Sequence, residues 1–343
     1  VAVGESGCVP PAQSLIADYF DRAERPRAMA IYWMSGSLSF VISYLGGGWL
    51  IEQFGWRITF MVIGLPGIVL ALLVKFTLRE PRLEQKINTS TAINDKPKIK
   101  QHSLKQVLKT LWQKQAFRHL VMSFCIALFF GAGINIWIPT FFMRMHGMES
   151  GEIGTWLAFS WGVGGIFFTF LGGFLAAHYV PRKEGLQMKI IAVIVVLCTV
   201  FHILCYLSSN KYMALISVSI VVGGLIPITQ APVYASIQSL VEERMRSVAL
   251  AFIFLLANLI GFGLGPLAIG IISDALAPSL GQESLRYALL LFSPGYLWCA
   301  FHTWKVANTI EEDIRSVESK AGLMETKVVA LEADVPNNFS TAG

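Results

Sequence analysis

The chain has 343 residues, 54% of them hydrophobic and only 14% charged, and its mean hydropathy is +0.58. That balance excludes a soluble globule, in which about a quarter of the residues carry charge. The net charge of +5 would suit a nucleic-acid partner, but the cations are spread over alternate connections between apolar runs and form no single patch, so nucleic acid is excluded too.

Apolar runs long enough to cross roughly 30 Å of hydrocarbon are predicted at about 1–20, 29–53, 57–78, 118–143, 153–180, 187–208, 212–240, 247–273 and 286–308. None carries the charged start, short apolar run and small-residue cleavage site of a signal peptide. The connection after the first run and every second one thereafter hold 3, 11, 3, 2 and 4 Lys and Arg, whereas those between hold one each. Positive charge marks the cytoplasmic side. The alternation therefore predicts nine crossings, with the 79–117 connection and the C-terminal tail in the cytoplasm.

The first span, VAVGESGCVPPAQSLIADYF, carries a carboxylate at Glu5, between Gly4 and Gly7 and well inside the span. A charge at that depth is costly in lipid, so Glu5 is expected to face the bundle interior, meet a cation or hold a proton. Proton coupling is its functional reading, and a hydrogen bond to a neighbouring helix is the structural one. The second span ends on Gly46, Gly47 and Gly48. After the third comes the polar, basic connection 79–117, which reads as a solvated linker able to meet anionic headgroups. From Ser103 to Phe117 it predicts a short amphipathic helix on the membrane surface.

Uncharged polar and amphipathic groups then recur inside spans: Asn135 and Trp137, Ser160 and Trp161, Gln230, Tyr234 and Gln238, and Asn258. Such groups either line a substrate cavity or hydrogen-bond helix to helix. Small residues let helix backbones approach and slide, which makes Gly47, Gly165, Gly263 and Gly265, with the helix-breaking Pro266, candidates for gating and packing. The five cysteines all fall inside spans with no C-x-x-C spacing, and no nucleophile elbow, phosphate loop or H-E-x-x-H motif is present. An enzyme, a cofactor and a metal site are accordingly not expected.

The segment PPAQSLIADYFDRAERPRAMAIY with LGGGWLIEQFGWR is echoed by APVYASIQSLVEERMRSVALAF with GFGLGPLAIGIISDAL, so that Arg27 matches Arg246. A parallel repeat of this kind builds some secondary transporters from two six-helix halves. The first three spans then match the last three. On that reading 1–78 is the remainder of an N-terminal half (helices four to six), 79–117 the linker, 118–310 the second half and 311–343 a cytoplasmic tail. Three helices are expected ahead of Val1.

The residues GESGCVPPAQSLIADYF, RAMAIY, LGGGWLIEQFGWRITFMVIGLPG and LREP resemble helices four to six of the Spinster-like branch of the major facilitator superfamily. FRHL, IPTFFMRMHGMESGEIGTWL, QSLVEERMRSVALAF and NLIGFGLGPLAIGIISDAL resemble its helices seven, eight, ten and eleven. The resemblance implies an all-α membrane protein with nine of the family's twelve transmembrane helices present, and an alternating-access carrier. It places Glu5 on the family's fourth-helix G-E motif and implies a proton-coupling role there. Animal members export sphingosine phosphate or lysophospholipids, which implies an amphiphilic or organic anion such as a lysolipid as substrate, with proton linkage. The segment GGFLAAHY departs from the family pattern, with Ala177 and His178 where Asp and Arg are usual.

The expectation is thus a multi-pass secondary transporter of the plasma (inner) membrane, whose partners are the lipid bilayer, a small-molecule substrate and protons. A symporter for small organic acids and a degenerate, non-transporting receptor or scaffold are the alternatives.

Overall fold

The structure is a computed structural model and describes residues 38–77, 104–179, 183–241 and 246–333, with a few isolated positions ahead of residue 38. The first expected span with Glu5, and most of the basic linker, lie outside the described residues. Every described element is helical. Six continuous stretches are long and apolar enough to cross a membrane: Leu38–Thr77, Gln115–His146, Ser150–His178, Glu184–Leu207, Lys211–Ile237 and Ala251–Ser316.

Two of these are too long for a single crossing. At 1.5 Å per residue, stretches of 40 and 66 residues would extend about 60 and 100 Å. Each turns at a glycine in the left-handed region, Gly55 at φ 74° and Gly281 at φ 55°, a conformation that side chains with a Cβ resist. The expected gap between the second and third spans falls on Gly55. We number the helices α1 (38–54), α2 (56–77), α3 (Leu104–Gln113), α4 (Gln115–His146), α5 (Ser150–His178), α6 (Glu184–Leu207), α7 (211–240), α8 (Arg246–Leu280), α9 (Ser284–Phe292) and α10 (Gly295–Ala333). The linker helix predicted from Ser103 is α3. The last helix, α10, runs on past residue 310, where the tail is expected to begin, to Ala333.

Local chemistry sets several of these limits. The Asn210 side chain accepts from the amides of Tyr212 and Met213 at 2.9 and 3.2 Å, which caps the start of α7. Pro227 lacks an amide hydrogen, so the carbonyl four residues back loses its donor, and a wide π-helical turn at Ile220–Leu225 lies just upstream. Similar π turns interrupt α1 at Ile42–Gly46 and α5 at Ala158–Gly164. Such turns re-aim side chains and are frequent at functional sites.

The chain divides into two compact units, each taken by itself below. One comprises Val1–Gln101 with Phe142–Phe167, the other His102–Phe141 with Phe168–Gly343. In the second unit Leu111 of α3, Phe117 of α4, Ile237 of α7, Ile253 of α8 and Ile310 of α10 share one apolar cluster. Cys125, Cys198, Cys205 and Cys299 are buried free thiols.

Candidate functional site

In the first unit, Gly36 just ahead of α1 and Ser39, Phe40, Ser43 and Tyr44 on it line a groove of about 260 Å³. Steps of three and four residues place them on one helix face. Trp161, singled out from the sequence, stacks on Phe40 with ring centroids 5.4 Å apart and 17° between planes. Ser160 is buried, and its hydroxyl donates to the Trp156 carbonyl at 2.8 Å. Ser39, Ser43 and Tyr44 were missed, although their spacing in SGSLSFVISY carries the signal.

Toward the other end of this unit α1 and α5 cross closely. A methyl group on Gly154 would collide with the Tyr44 carbonyl oxygen, and one on Gly48 would sit 2.7 Å from that of Ser150. The bared backbones are used: Ser150 Oγ donates to the Gly48 carbonyl (3.1 Å), the Gly151 amide to Glu52 Oε2 (2.8 Å), and Trp49 Nε1 to Thr155 Oγ1 (3.1 Å). Glu149, in the connection just before α5, shares a side-chain hydrogen bond with Glu52. That bond, then the repulsion of the Glu52 charge, raises the Glu149 carboxyl above the usual carboxylate range. Gly47 is buried with ordinary space around it, since a methyl there would lie 3.8 Å from Ile63 Cδ1. Gly165 is buried directly after the π turn of α5.

In the second unit Trp137 donates its indole N–H to the Pro266 carbonyl at 3.0 Å. A methyl on Gly133 would lie 3.1 Å from the Gly265 carbonyl carbon, and one on Gly265 would strike the Phe129 carbonyl oxygen. Gly263, two residues away, has nothing within 4 Å of that position. Asn135 lies on the same stretch of α4, and its side-chain oxygen is buried with no hydrogen-bond partner among the described residues. Tyr234 packs on Phe124 and Phe254, with centroids at 6.1 and 6.0 Å. Asn258 is exposed and donates to its own helix at the Phe254 carbonyl, 2.8 Å away, and Gln230 is exposed. The Gln238 side chain lies outside the described residues. The structure thus brings Trp137 to Pro266, and Gly133 to Gly265, across α4 and α8, and among the described residues gives Gln230 and Asn258 no such contact.

Three contacts between residues far apart in the chain were not legible in sequence. Nδ1 of His119 and of His302 are 2.9 Å apart, so one ring donates and the other accepts. Among the described residues no third ligand completes a metal site there. Nearby, the Ala116 amide donates to Asp313 Oδ2 at 2.8 Å, and Lys114 Nζ donates to the Leu240 carbonyl at 2.8 Å. The carboxylate thus meets the positive end of α4 and the ammonium the negative end of α7. Asp313→Ala is expected to cost about 1 kcal/mol, read as a lower thermal midpoint of the detergent-solubilised chain, whereas Asp313→Glu should recover part of it.

The family model described as Major Facilitator Superfamily matches residues 1–266. An "MFS-type efflux pump" of Mycolicibacterium smegmatis is 28% identical over 293 residues, covering 85% of this chain and 65% of that protein. The "Probable galactarate/D-glucarate transporter GudP" of Bacillus subtilis is 23% identical over 244 residues, 65% of this chain and 52% of its own length. The chain therefore spans between about half and two thirds of these relatives. A crystal structure of a bacterial homolog of the human lysosomal transporter Spinster, inward-facing and unoccupied, superimposes with a TM-score of 0.75 at 24% identity, covering 91% of this chain and 77% of that one. With a family model matched over most of its length, and the fold of its helices shared with the Spinster homolog, the chain belongs to the Major Facilitator Superfamily.

Proposed function

We propose that this protein is a secondary active transporter that carries a small amphiphilic or organic anion across the plasma membrane by alternating access, with proton linkage through Glu5. Asn135 is the observation that carries the reading. A buried amide oxygen without a partner is rare and calls for a specific cause, and a passing substrate that donates to it is one. Trp137, on the same stretch of α4, suits an amphiphile with apolar surface. The role of Glu5 rests on its sequence position and on the family resemblance. A symporter for small organic acids is the second reading, favoured by the name of the Bacillus relative.

Uptake into vesicles containing the reconstituted chain tests both. Asn135→Ala is expected to weaken apparent substrate affinity about tenfold, the scale of one lost buried hydrogen bond. Glu5→Gln is expected to abolish stimulation by an inward proton gradient. Competition by a lysolipid and not by a short diacid supports the first reading, and the reverse supports the second. A Glu5→Gln variant with an unchanged pH profile rejects proton linkage at that residue.

A further inference from the structure

A broad groove of about 810 Å³ opens where α3, the start of α4 and the start of α8 meet, lined by Lys109, Trp112, Gln113, Arg118 and Phe252. All five belong to the second unit. Leu111 is buried in the core beneath, which anchors α3, while Trp112 beside it stays 46% exposed. Lys109 and Arg118 are exposed, and among the described residues neither is ion-paired. Among the described residues no acidic side chain lines the groove. Further along the exposed side of α8 stand Leu255 and Leu259, 64% and 67% exposed.

We infer that this groove binds the phosphate-bearing headgroup of an anionic phospholipid from the cytoplasmic leaflet. The chemistry is layered as a lipid is layered. Two cations meet the phosphate, a tryptophan sits at headgroup level where its amphipathic ring is favoured, and Phe252, Leu255 and Leu259 continue into acyl-chain depth. The distribution of Lys and Arg along the chain puts this end of the helices on the cytoplasmic side, where the leaflet is negatively charged. A free phosphate ion would use the two cations but leave Trp112 and Phe252 without a role. The site is independent of the transported substrate.

The test uses the purified full chain in detergent micelles. Brominated phosphatidylglycerol or brominated phosphatidylcholine is added, and quenching is read as the fluorescence difference between wild type and Trp112→Phe, which isolates Trp112. Phosphatidylglycerol is expected to quench at about thirtyfold lower concentration, the product of two cations each worth close to 1 kcal/mol near an anionic surface. Lys109→Gln with Arg118→Gln should abolish the preference, and Lys109→Arg with Arg118→Lys should keep it. Equal quenching by the two lipids, or a preference that survives the double glutamine variant, overturns the inference. So does displacement of phosphatidylglycerol by excess inorganic phosphate, which would mark a free-anion site.

Discussion

Gly265→Ala is expected to destabilise the protein by about 3 kcal/mol, the upper end for overpacking, while Gly263→Ala stabilises it by roughly 0.5–1 kcal/mol, the helix propensity gained over glycine. The two differ by one methyl group each and stand two residues apart on α8. At position 265 the added carbon meets backbone, with the Phe129 carbonyl oxygen in collision and the Gly133 amide nitrogen at 3.2 Å. Backbone atoms of a helix cannot rotate aside as a flexible side chain can, so α4 and α8 must part. Parting them also draws the Trp137 indole from the Pro266 carbonyl. At position 263 the methyl enters open space. Thermal unfolding in detergent, followed by loss of the monodisperse peak on size exclusion, reads the sign of each change. Shifts of the same sign would mean that α4 and α8 do not cross at these glycines.

The glycine pair also shows where sequence reading stops. Runs of apolar residues and the alternation of Lys and Arg anticipate helices and turns because both follow from one-dimensional rules, the span needed to cross lipid and the side on which cations stay. The turn at Gly55 falls where the hydropathy dips between 53 and 57, and α3 lies inside the segment whose pattern is amphipathic. Which of two neighbouring glycines touches another helix depends on crossing angle and rotation, and composition records neither. Gly263 and Gly265 look alike in GFGLGPL, yet only one is crowded.

Polar residues show the same limit. Asn258 and Asn135 are both amides within apolar helices, but one turns back on its own helix and the oxygen of the other has no partner among the described residues. His119 and His302, or Glu52 and Gly151, meet across 183 and 99 residues of chain, and no local spacing announces such pairs. The serine face of α1 was readable, since Ser39 and Ser43 stand four apart. Its role as the wall of a groove needed the π turn and Trp161 to become visible.

The contact between Glu149 and Glu52 is expected to make the α1 and α5 crossing pH-dependent. Two carboxyl groups can share a hydrogen bond only while one holds a proton, and that bond is the largest cause raising the Glu149 carboxyl, followed by the Glu52 charge. The sign follows from linkage. A carboxyl raised on folding contributes stability that is fully present below its unfolded value and is lost as pH rises through the folded one. The window therefore opens at the usual carboxylate range and extends upward from it. Above it both groups are charged and repel, although Glu52 still accepts from the Gly151 amide at 2.8 Å. Under the alternating-access function proposed above, helix crossings break and remake, so a proton at Glu149 would favour the state in which α1 and α5 are held together. Glu149→Gln keeps a donor toward Glu52 at every pH and should remove the dependence, whereas Glu52→Gln removes the Glu52 charge and should lower the Glu149 carboxyl toward its ordinary value. Spin labels at the exposed positions Phe54 on α1 and Phe159 on α5, followed by pulsed distance measurement, should broaden toward longer separations in wild type as pH rises through that window and stay fixed in Glu149→Gln. A wild-type distribution that does not change with pH would show that the shared proton has no part in holding the crossing.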